Sequence, residues 1–250
     1  VEEHPARQAN DPQNIRQCIH VTKSHRAGVS VKRSGVPVIQ TTRGIPYFSG
    51  PTTGRRPEMR VTMFDVKIIE AETPPHADHV VALLRDYLLW LRRRYVDQIE
   101  LVEHYFDANE WESELADLKG HYGAPFGAVL LAMVDGVPAG CVMMRGIGED
   151  VCEMKRMFVR PAFQGMHIAR LLTQRLAQLA AERGYKTMRL ETGKLQTEAQ
   201  ALYRSLGFCR IAPYYPLPDW FKENQLFFEG RTRDVAAGIA CEPCPQLIAA

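Results

Sequence analysis

The strongest constraint on the fold is a strand, a long helix and a second strand that follow one another between residues 151 and 192. "VCEMKRMFV" (151–159) and "TMRLET" (187–192) have the apolar content of strands, and residues 165–185 between them have helical periodicity. Two strands joined by a crossover helix must pair in parallel. The apolar residues on one face of this helix are Ile168, Leu171, Leu172, Leu176 and Leu179.

The flanking segments extend this unit into a larger sheet. Residues 127–147 form two strands around an Asp135-Gly136 turn, and they continue into 151–159 as an antiparallel meander. The sequence therefore predicts an α/β fold with a mixed central β-sheet flanked by helices on both faces. The other predicted elements are strand 64–72, helices 75–95, 99–118 and 197–207, and strands 208–215 and 224–230.

The two ends of the chain differ from this regular region. Residues 1–62 show no useful periodicity and are rich in Pro, Gly, Ser, Thr and Arg, so we expect a mostly disordered basic arm. The alternative is that they precede the native start at Met63. The arm could also contact nucleic acid, although it has few aromatic residues to stack on bases. The predicted domain spans residues 63–230, and a tail follows at 231–250.

Composition favours a soluble protein of the cytoplasm. No apolar run approaches the roughly 18 residues that cross a membrane, and the first residues lack the apolar core of a secretory signal. The six cysteines are scattered through 250 residues, so a disulfide framework is not expected.

The start of the long helix has an unusual local sequence. Gln164, Gly165, Met166 and His167 precede it, with no Asp, Ser or Thr in position to cap its free N–H groups. Such N–H groups, together with the positive end of the helix dipole, favour a bound anion. We therefore expect a ligand that is not protein to satisfy this turn.

Two motifs carry a resemblance to the GNAT (GCN5-related) N-acetyltransferase family. Residues 164–169 resemble the family's pyrophosphate loop, with His167 in place of a usual glycine. The stretch 196–208 resembles the family's later helix through Gln196, Ala199, Leu202, Tyr203, Gly207 and Phe208. The resemblance covers about residues 63–230, and "CEMKRMFVRP" is similar to a bacterial subgroup.

The resemblance implies acetyl-CoA as the cosubstrate and no metal. The strand end at Met157, Phe158 and Val159 would lie along the pantetheine and present backbone N–H groups to the thioester carbonyl. Gly at position 167 would let the backbone approach the phosphates closely, whereas His167 adds bulk and a hydrogen-bond donor. The implied cofactor-binding residues of the loop and later helix are Gln164, Gly165, Met166, His167, Ile168, Ala169, Arg170 and Gln196.

By the same resemblance, Tyr203 is the catalytic acid that protonates the departing thiolate. A tyrosine that only packs in the core is the alternative. Glu153 is the candidate base. It lies six residues before Val159, on the same strand face, and burial would raise its pKa. The alternative for Glu153 is a salt bridge to Lys155, Arg189 or another basic residue, and Glu191 is a weaker rival base.

Helical residues 99–118 suggest a site for the acceptor. Their acidic side chains either form a solvated face or attract a cationic amine. Cys241 and Cys244 have metal-like spacing, but no second ligand pair accompanies them. The acidic residues are Glu103, Asp107, Glu110, Glu112 and Glu114, and the aromatic residues that either pack or line an acceptor pocket are Trp90, Tyr95, Tyr105 and Trp111.

We therefore expect an acetyl-CoA-dependent N-acetyltransferase that moves an acetyl group to a primary amine by direct transfer in a ternary complex. The acceptor would be a small molecule or a peptide, with no membrane partner and with a homodimer left open. A non-catalytic acyl-CoA-binding or sensor module is the alternative, and a nucleic-acid-associated acetyltransferase is a third reading.

Overall fold

The computed structural model describes residues 64–239, together with the backbone of two short strands at 30–31 and 39–41. Within these residues nine strands form one sheet in the order β1-β2-β3-β4-β5-β6-β7-β9-β8. The β6–β7 pair is parallel and every other neighbouring pair is antiparallel, which confirms the predicted mixed sheet. The strands are β1 (Ser30–Val31), β2 (Ile39–Thr41), β3 (Val66–Glu70), β4 (Ala128–Val134), β5 (Val137–Gly146), β6 (Val151–Val159), β7 (Thr187–Gly193), β8 (Cys209–Ile211) and β9 (Gln225–Arg231).

Helices cover both faces of the sheet. α1 and α5 both pack on β4, β5 and β6 without packing closely on each other, so they lie on opposite faces. None of the helices within residues 64–239 is long and apolar enough to span a membrane. The helices are α1 (His76–Arg94), α2 (Ile99–Tyr105), α3 (Ala108–Ala116), α4 (Leu118–Tyr122), α5 (Ile168–Glu182), α6 (Thr197–Ser205), α7 (Asp219–Lys222) and α8 (Thr232–Ala237).

The apolar faces read from the sequence are the buried ones. Helical periodicity places five apolar residues on one face of α1, and all five are buried, while α5 buries its predicted face except Leu171, which is partly buried. Burying such stripes against the sheet is what stabilises these helices, since isolated helices of this length are marginal in water. The buried residues of α1 are Val80, Leu83, Leu84, Tyr87 and Leu91.

The acidic segment predicted as one helical stretch over 99–118 is three helices. Asp107 separates α2 from α3, because it caps α3: its carboxylate accepts hydrogen bonds from the N–H groups of Asn109 and Glu110. Asp117 caps α4 in the same way through the N–H of Gly120. Two aspartates therefore divide a segment whose periodicity alone favoured continuity.

The packed region extends beyond residue 230, where the sequence interpretation placed the start of a tail. α8 packs on α5, and its residues Thr232 and Val235 are buried. Apart from β1 and β2, the predicted N-terminal arm lies outside the described residues, as do Cys241 and Cys244. Cys141 and Cys152 are buried free thiols, whereas Cys209 is disulfide-bonded, contrary to the expectation for this chain.

Candidate active site

The turn between β6 and α5 has the geometry of an anion site. Gly165 (φ +82°) and His167 (φ +56°) both adopt the left-handed conformation, and His167 occupies the N-cap of α5 without a side-chain capping bond. The first N–H groups of a helix have no intrahelical partner, and such turns direct successive N–H groups toward one point. A Cβ on Gly165 would meet no atom within 4 Å, so the turn borders open space. These features fit a phosphate at the N-terminus of α5.

Backbone rather than side chains would make most of these contacts. Gln164 and Gly165 are exposed, while Ile168 and Ala169 bury their side chains in the core. Met166 is partly buried against the same core. The left-handed conformation at His167 explains why glycine is the usual residue there, since a side chain in this region costs about 1–2 kcal/mol.

Two of the side chains assigned to the cofactor are engaged with the protein. The Arg170 guanidinium donates to the Ser205 hydroxyl at 2.6 Å, which links α5 to the end of α6. Gln196 is buried, and its Oε1 accepts from Thr192 Oγ1 at 2.7 Å and from the Gly193 N–H at 3.2 Å. Gln196 therefore holds the turn between β7 and α6.

A gap opens between β6 and β7 at the same edge of the sheet as this turn. The two strands pair only from Val151 with Thr187 to Glu153 with Arg189, although both continue for several residues. The buried residues 157–159 lie beyond that last pair. Because α5 follows β6 directly, the phosphate turn and the gap both lie outside the carboxyl ends of parallel strands, where α/β proteins bind ligands.

A bulge in β6 changes which residues share a face. Arg156 has φ +54°, and the register with β5 shifts between the Lys155–Met143 pair and the Phe158–Cys141 pair. One extra residue reverses the alternation beyond it. Glu153 therefore shares a face with Lys155 and Phe158, and the expectation that it shares a face with Val159 is wrong.

Glu153 lies in a buried network of hydrogen bonds and salt bridges. Arg145 Nε and Lys155 Nζ each lie 2.9 Å from its carboxylate, and the Tyr214 hydroxyl donates to it at 2.8 Å. Burial acts to raise the pKa of Glu153, but the charges of Lys155 and Arg145 outweigh it and lower the pKa below its usual range. The expectation of a raised pKa is therefore wrong, and the salt-bridge alternative describes this residue.

Glu191 is the carboxylate with the properties expected of a base. It is fully buried on β7, Lys155 Nζ lies 3.3 Å away, and the Tyr215 hydroxyl donates to it. Burial raises the pKa of Glu191 to about 7, despite the opposing charge of Lys155. Burial also lowers the pKa of Lys155, against the pull of both carboxylates. A general base works best with a pKa near the operating pH.

Tyr203 and Glu191 lie on opposite faces of the sheet. Across β7 and β9, Glu191 pairs with Phe227, and the adjacent Leu190 pairs with Phe228. Successive residues of a strand point to opposite faces, so the first pair lies on one face of the sheet and the second pair on the other. The Tyr215 ring packs on Phe227 on the Glu191 side, with centroids 5.6 Å apart. The Tyr203 ring packs on Phe228 on the other side at 6.2 Å, and it is fully buried.

A pocket opens on the Glu191 face, next to the gap between β6 and β7. Its cavity volume is about 30 Å³. Part of its wall is formed by Gly193 and Gln225, which are paired across β7 and β9. This pair lies two residues along the strands from the pair of Glu191 and Phe227. The rest is mainly aromatic and aliphatic, and the ring of Tyr87 in this wall lies 5.4 Å from that of Phe158. Tyr95 and Tyr105 line this pocket, and its use by the acceptor stays a prediction.

Two other members of the predicted acidic and aromatic sets, Glu114 and Trp111, serve the core, whereas Glu103, Asp107 and Glu112 are exposed. Glu114 is buried and paired with the guanidinium of Arg156, which lies over the rings of Phe106 and Trp111 at 5.1 and 4.9 Å. Among the described residues, no group of three or more His, Cys, Asp or Glu side chains is placed to hold a metal ion.

Comparison with known proteins identifies the family. The model of the Acetyltransferase (GNAT) family matches residues 86–208. An uncharacterized N-acetyltransferase of Schizosaccharomyces pombe is 38% identical over 112 residues, which cover 43% of this chain and 69% of that protein. This chain belongs to the GNAT acetyltransferase family. It is an acetyl-CoA-dependent N-acetyltransferase, as the sequence motifs predicted.

Other relatives of this acetyltransferase have different origins. N-acetylaspartate synthetase of Danio rerio is 30% identical over 144 residues, and the chain spans about half (51%) of that protein. The matches include proteins of Dictyostelium discoideum and Escherichia coli. Since eukaryotic proteins are among them, the comparisons do not support the expected bacterial subgroup.

Solved structures share the fold of this acetyltransferase. A GNAT acetyltransferase of Staphylococcus aureus is 18% identical and covers 67% of this chain and 99% of its own, with a TM-score of 0.53. The PaiA N-acetyltransferase of Thermoplasma acidophilum, solved in complex with coenzyme A, is 14% identical and covers 66% of this chain and 98% of its own, with a TM-score of 0.51. At these identities the likeness concerns the fold alone.

Sequence reasoning missed the tyrosine pair that completes the charge cluster. Tyr214 and Tyr215 follow β8 in a segment read only as a strand end, and each donates to one of the two buried carboxylates. Two adjacent tyrosines between Pro213 and Pro216 are the local signal for a rigid polar loop. Their partners lie 24 and 61 residues away, so no local pattern could have supplied the pairing.

Proposed function

We propose that this enzyme transfers an acetyl group directly from acetyl-CoA to a primary amine within a ternary complex. The observation that carries the proposal is the placement of Tyr203 and Glu191 on opposite faces of the sheet, at the level of Leu190 and Glu191 where β7 has just ceased to pair with β6. A thioester that reaches the gap from the α5 side would have its sulfur near an acid. An amine on the other face would lie near a base.

The α5 side suits acetyl-CoA. The uncapped N-terminus of α5 would hold the pyrophosphate through backbone N–H groups, with Gly165 giving close access. The β6 bulge at Arg156 shifts the register with β5 next to residues 157–159, and a backbone N–H of these residues would polarise the thioester carbonyl. The cosubstrate supplies an activated acyl group, and the protein supplies position and charge stabilisation.

Glu191 serves as the base in this proposal, in place of Glu153. The amine nitrogen forms a bond to the carbonyl carbon, and the bond from that carbon to sulfur breaks. The proton lost by the nitrogen passes through the Tyr215 hydroxyl to Glu191, while Tyr203 gives its proton to the thiolate. Glu153 stays ionised and holds Lys155 in place, since its two cationic neighbours keep its pKa low.

The described cysteines favour direct transfer over a cysteine acyl-enzyme. Burial raises the pKa of both Cys141 and Cys152 to about 12, and neither thiol is accessible. A nucleophilic cysteine needs a lowered pKa and access to the substrate. The cytoplasmic location and a homodimer remain predictions.

The deciding experiment measures CoA release from acetyl-CoA across amino acids, polyamines, aminoglycosides, arylalkylamines and lysine peptides. With an accepted amine, initial velocities at varied concentrations of both substrates should give intersecting lines in a double-reciprocal plot. Parallel lines would indicate a covalent intermediate and contradict direct transfer. Tight acetyl-CoA binding with no turnover of any amine would favour the non-catalytic sensor.

A further inference from the structure

Lys155 lies at the point where β6 and β7 separate. The last paired residues of the two strands are Glu153 and Arg189, and Lys155 and Glu191 each follow two positions later. Residues two apart in a strand point to the same face, so Lys155 and Glu191 lie on the face that carries Glu153. Lys155 Nζ is 3.3 Å from the Glu191 carboxylate. A salt bridge therefore joins the two strands where their backbone pairing has ended.

The ammonium of Lys155 is held between two carboxylates. Its Nζ lies 2.9 Å from Glu153 Oε1 and 3.3 Å from Glu191 Oε1, and all three side chains are almost fully buried. Glu153 is anchored in turn by Arg145 Nε at 2.9 Å and by the Tyr214 hydroxyl at 2.8 Å. Lys155 therefore has a fixed position, from which it presents its charge to the carboxylate on the other side of the gap.

This charge opposes the effect of burial on Glu191. Taking a carboxylate out of water disfavours its charged form, and buried glutamates with a pKa of about 8–9 are known. Burial raises the pKa of Glu191 to about 7, and the charge of Lys155 is the largest cause that lowers it. The negative charge of Glu153 acts in the opposite sense and raises the pKa of Glu191. The two neighbours of Glu191 on β6 therefore pull its ionisation in opposite directions.

The other ionisable groups around the cluster come from the strands, helices and loop packed against it. Three arginines each form a salt bridge with another carboxylate, whereas Lys155 is bridged to Glu191 itself. α1, which packs on β5 and β6, buries no charged side chain of its own. The arginine pairs are Arg145 with Glu153, Arg189 with Glu229 and Arg156 with Glu114, and the hydroxyl donors are Tyr122, Tyr214 and Tyr215.

We propose that Lys155 is a positioning residue for acetyl transfer, whose ammonium spans the opening between β6 and β7 and holds Glu191 as an oriented, ionised carboxylate. The inference rests on the proposed function, since it explains how the same base is prepared. The proton of the amine still passes through the Tyr215 hydroxyl to Glu191. Lys155 keeps its own proton throughout and acts only through Glu191.

The direct test follows the ionisation of Glu191 without using catalysis. Glutamate labelled with carbon-13 in its side-chain carboxyl group gives NMR signals that shift on ionisation, and the signal missing from Glu191→Gln identifies Glu191. We expect a titration midpoint of about 7 in the full wild-type chain. Lys155→Met removes the charge and keeps a long side chain, so the midpoint should rise by at least about 1 pH unit. An unchanged midpoint in folded Lys155→Met overturns the inference.

Two further variants separate this effect from a general disturbance of the cluster. Glu153→Gln removes a negative charge instead, so the midpoint of Glu191 should fall. A midpoint that stays or rises in Glu153→Gln refutes the inference, and this variant decides alone if Lys155→Met does not fold. Lys186→Met is the matched control, because Lys186 pairs with Asp150 at 2.7 Å but its side chain is 78% exposed. Solvent and salt screen that charge, so an equal rise in Lys186→Met counts against the role of Lys155.

The pH dependence of kcat/KM separates this inference from the proposed function. With an accepted amine, the rise in kcat/KM should move to higher pH in Lys155→Met by the same amount as the NMR midpoint. A midpoint that moves while the kinetic profile stays supports the hold of Lys155 on Glu191 and refutes Glu191 as the base. A kinetic profile that moves while the midpoint stays overturns the inference.

Discussion

The guanidinium of Arg156 forms a two-point salt bridge with the carboxylate of Glu114, and both side chains are shielded from water. The Tyr122 hydroxyl also donates to Glu114, at 2.8 Å. Arg156 is the bulge residue of β6, so this pair joins α3 to the strand segment that borders the gap. The charge of Glu114 raises the pKa of Arg156 well above its usual value, against the opposing effect of burial.

Removing the charge of Glu114 should therefore destabilise the fold. Glu114→Gln leaves a buried guanidinium without a counter-charge, and we expect the free energy of unfolding to fall by about 3–5 kcal/mol. Glu112→Gln on the same helix is the control. Glu112 pairs with Arg85 at 3.2 Å, but the Glu112 side chain is 64% exposed to solvent. The control should change stability by less than about 1 kcal/mol. Denaturant unfolding of both variants checks this, and equal small losses would show that the buried pair contributes little.

Substitution of Gly165 should abolish acetyl-CoA binding. Gly165→Asp places a negative carboxylate at the proposed phosphate site, and we expect affinity to fall by at least about a hundredfold. Gly136→Asp is the matched control, because Gly136 has nearly the same φ (+80°) and similarly open space in the distant β4–β5 turn. Calorimetric titration with acetyl-CoA compares the two variants. Normal binding by Gly165→Asp would mean that the pyrophosphate site is elsewhere.

Loss of the Tyr203 hydroxyl should slow the chemical step. Phe keeps the packing on Phe208 and Phe228, so we expect Tyr203→Phe to lower kcat by about tenfold to several hundredfold with little change in acetyl-CoA affinity. Tyr185→Phe is the control, since the Tyr185 hydroxyl donates to the Phe126 carbonyl at 2.8 Å and lies outside the site. Rates are measured where chemistry limits turnover. Full activity of Tyr203→Phe would make it a packing residue.

The two buried glutamates should respond differently to amidation. Glu191→Gln removes the proposed proton acceptor, and we expect kcat to fall by about 10²–10⁴. We also expect kcat/KM of the wild type to rise as Glu191 ionises through about pH 7, and Glu191→Gln should remove that rise. Glu153→Gln should mainly lower stability, because Arg145 and Lys155 lose their counter-charge. If Glu153→Gln abolishes the chemical step while Glu191→Gln stays active, the assignment of the base is reversed.

Glu191 should also make stability depend on pH in a definite direction. Its pKa is 4.5 when unperturbed and about 7 in the fold, so between these values the folded protein keeps a proton that the unfolded chain has lost. This contribution is complete below about pH 4.5 and declines as pH rises through about 7. The Tm of Glu191→Gln relative to wild type should therefore increase from about pH 5 to pH 8. The exposed Glu223→Gln should show no such trend, and a flat difference for Glu191→Gln would contradict the raised pKa.

Several features were determined by local sequence. The inner face of α1, from Val80 to Leu91, could be read because a helix that packs on a sheet needs apolar residues at its own period. The β6–α5–β7 crossover fixed a parallel pair, since chain connectivity allows no other pairing. The uncapped turn at Gly165 and His167 was also visible, because capping depends on residues within one helical turn. Asp107 is also a capping residue that the sequence contains, but the helical periodicity of the residues around it favoured one continuous helix.

The chemistry of the site was decided by tertiary structure. The bulge at Arg156 places Glu153 on the face opposite Val159. Arg156 is in turn paired with Glu114 on α3, which lies 42 residues away in the chain. Lys155 has Glu153 and Glu191 on either side, and its closer contact with Glu153 keeps that carboxylate ionised while burial raises the pKa of Glu191. A pKa depends on burial and on the charges within a few ångströms, and both are set by chain segments that meet only on folding. The sequence therefore identified the family and the uncapped turn proposed to bind the cosubstrate, while the folded structure selected the carboxylate proposed as the base.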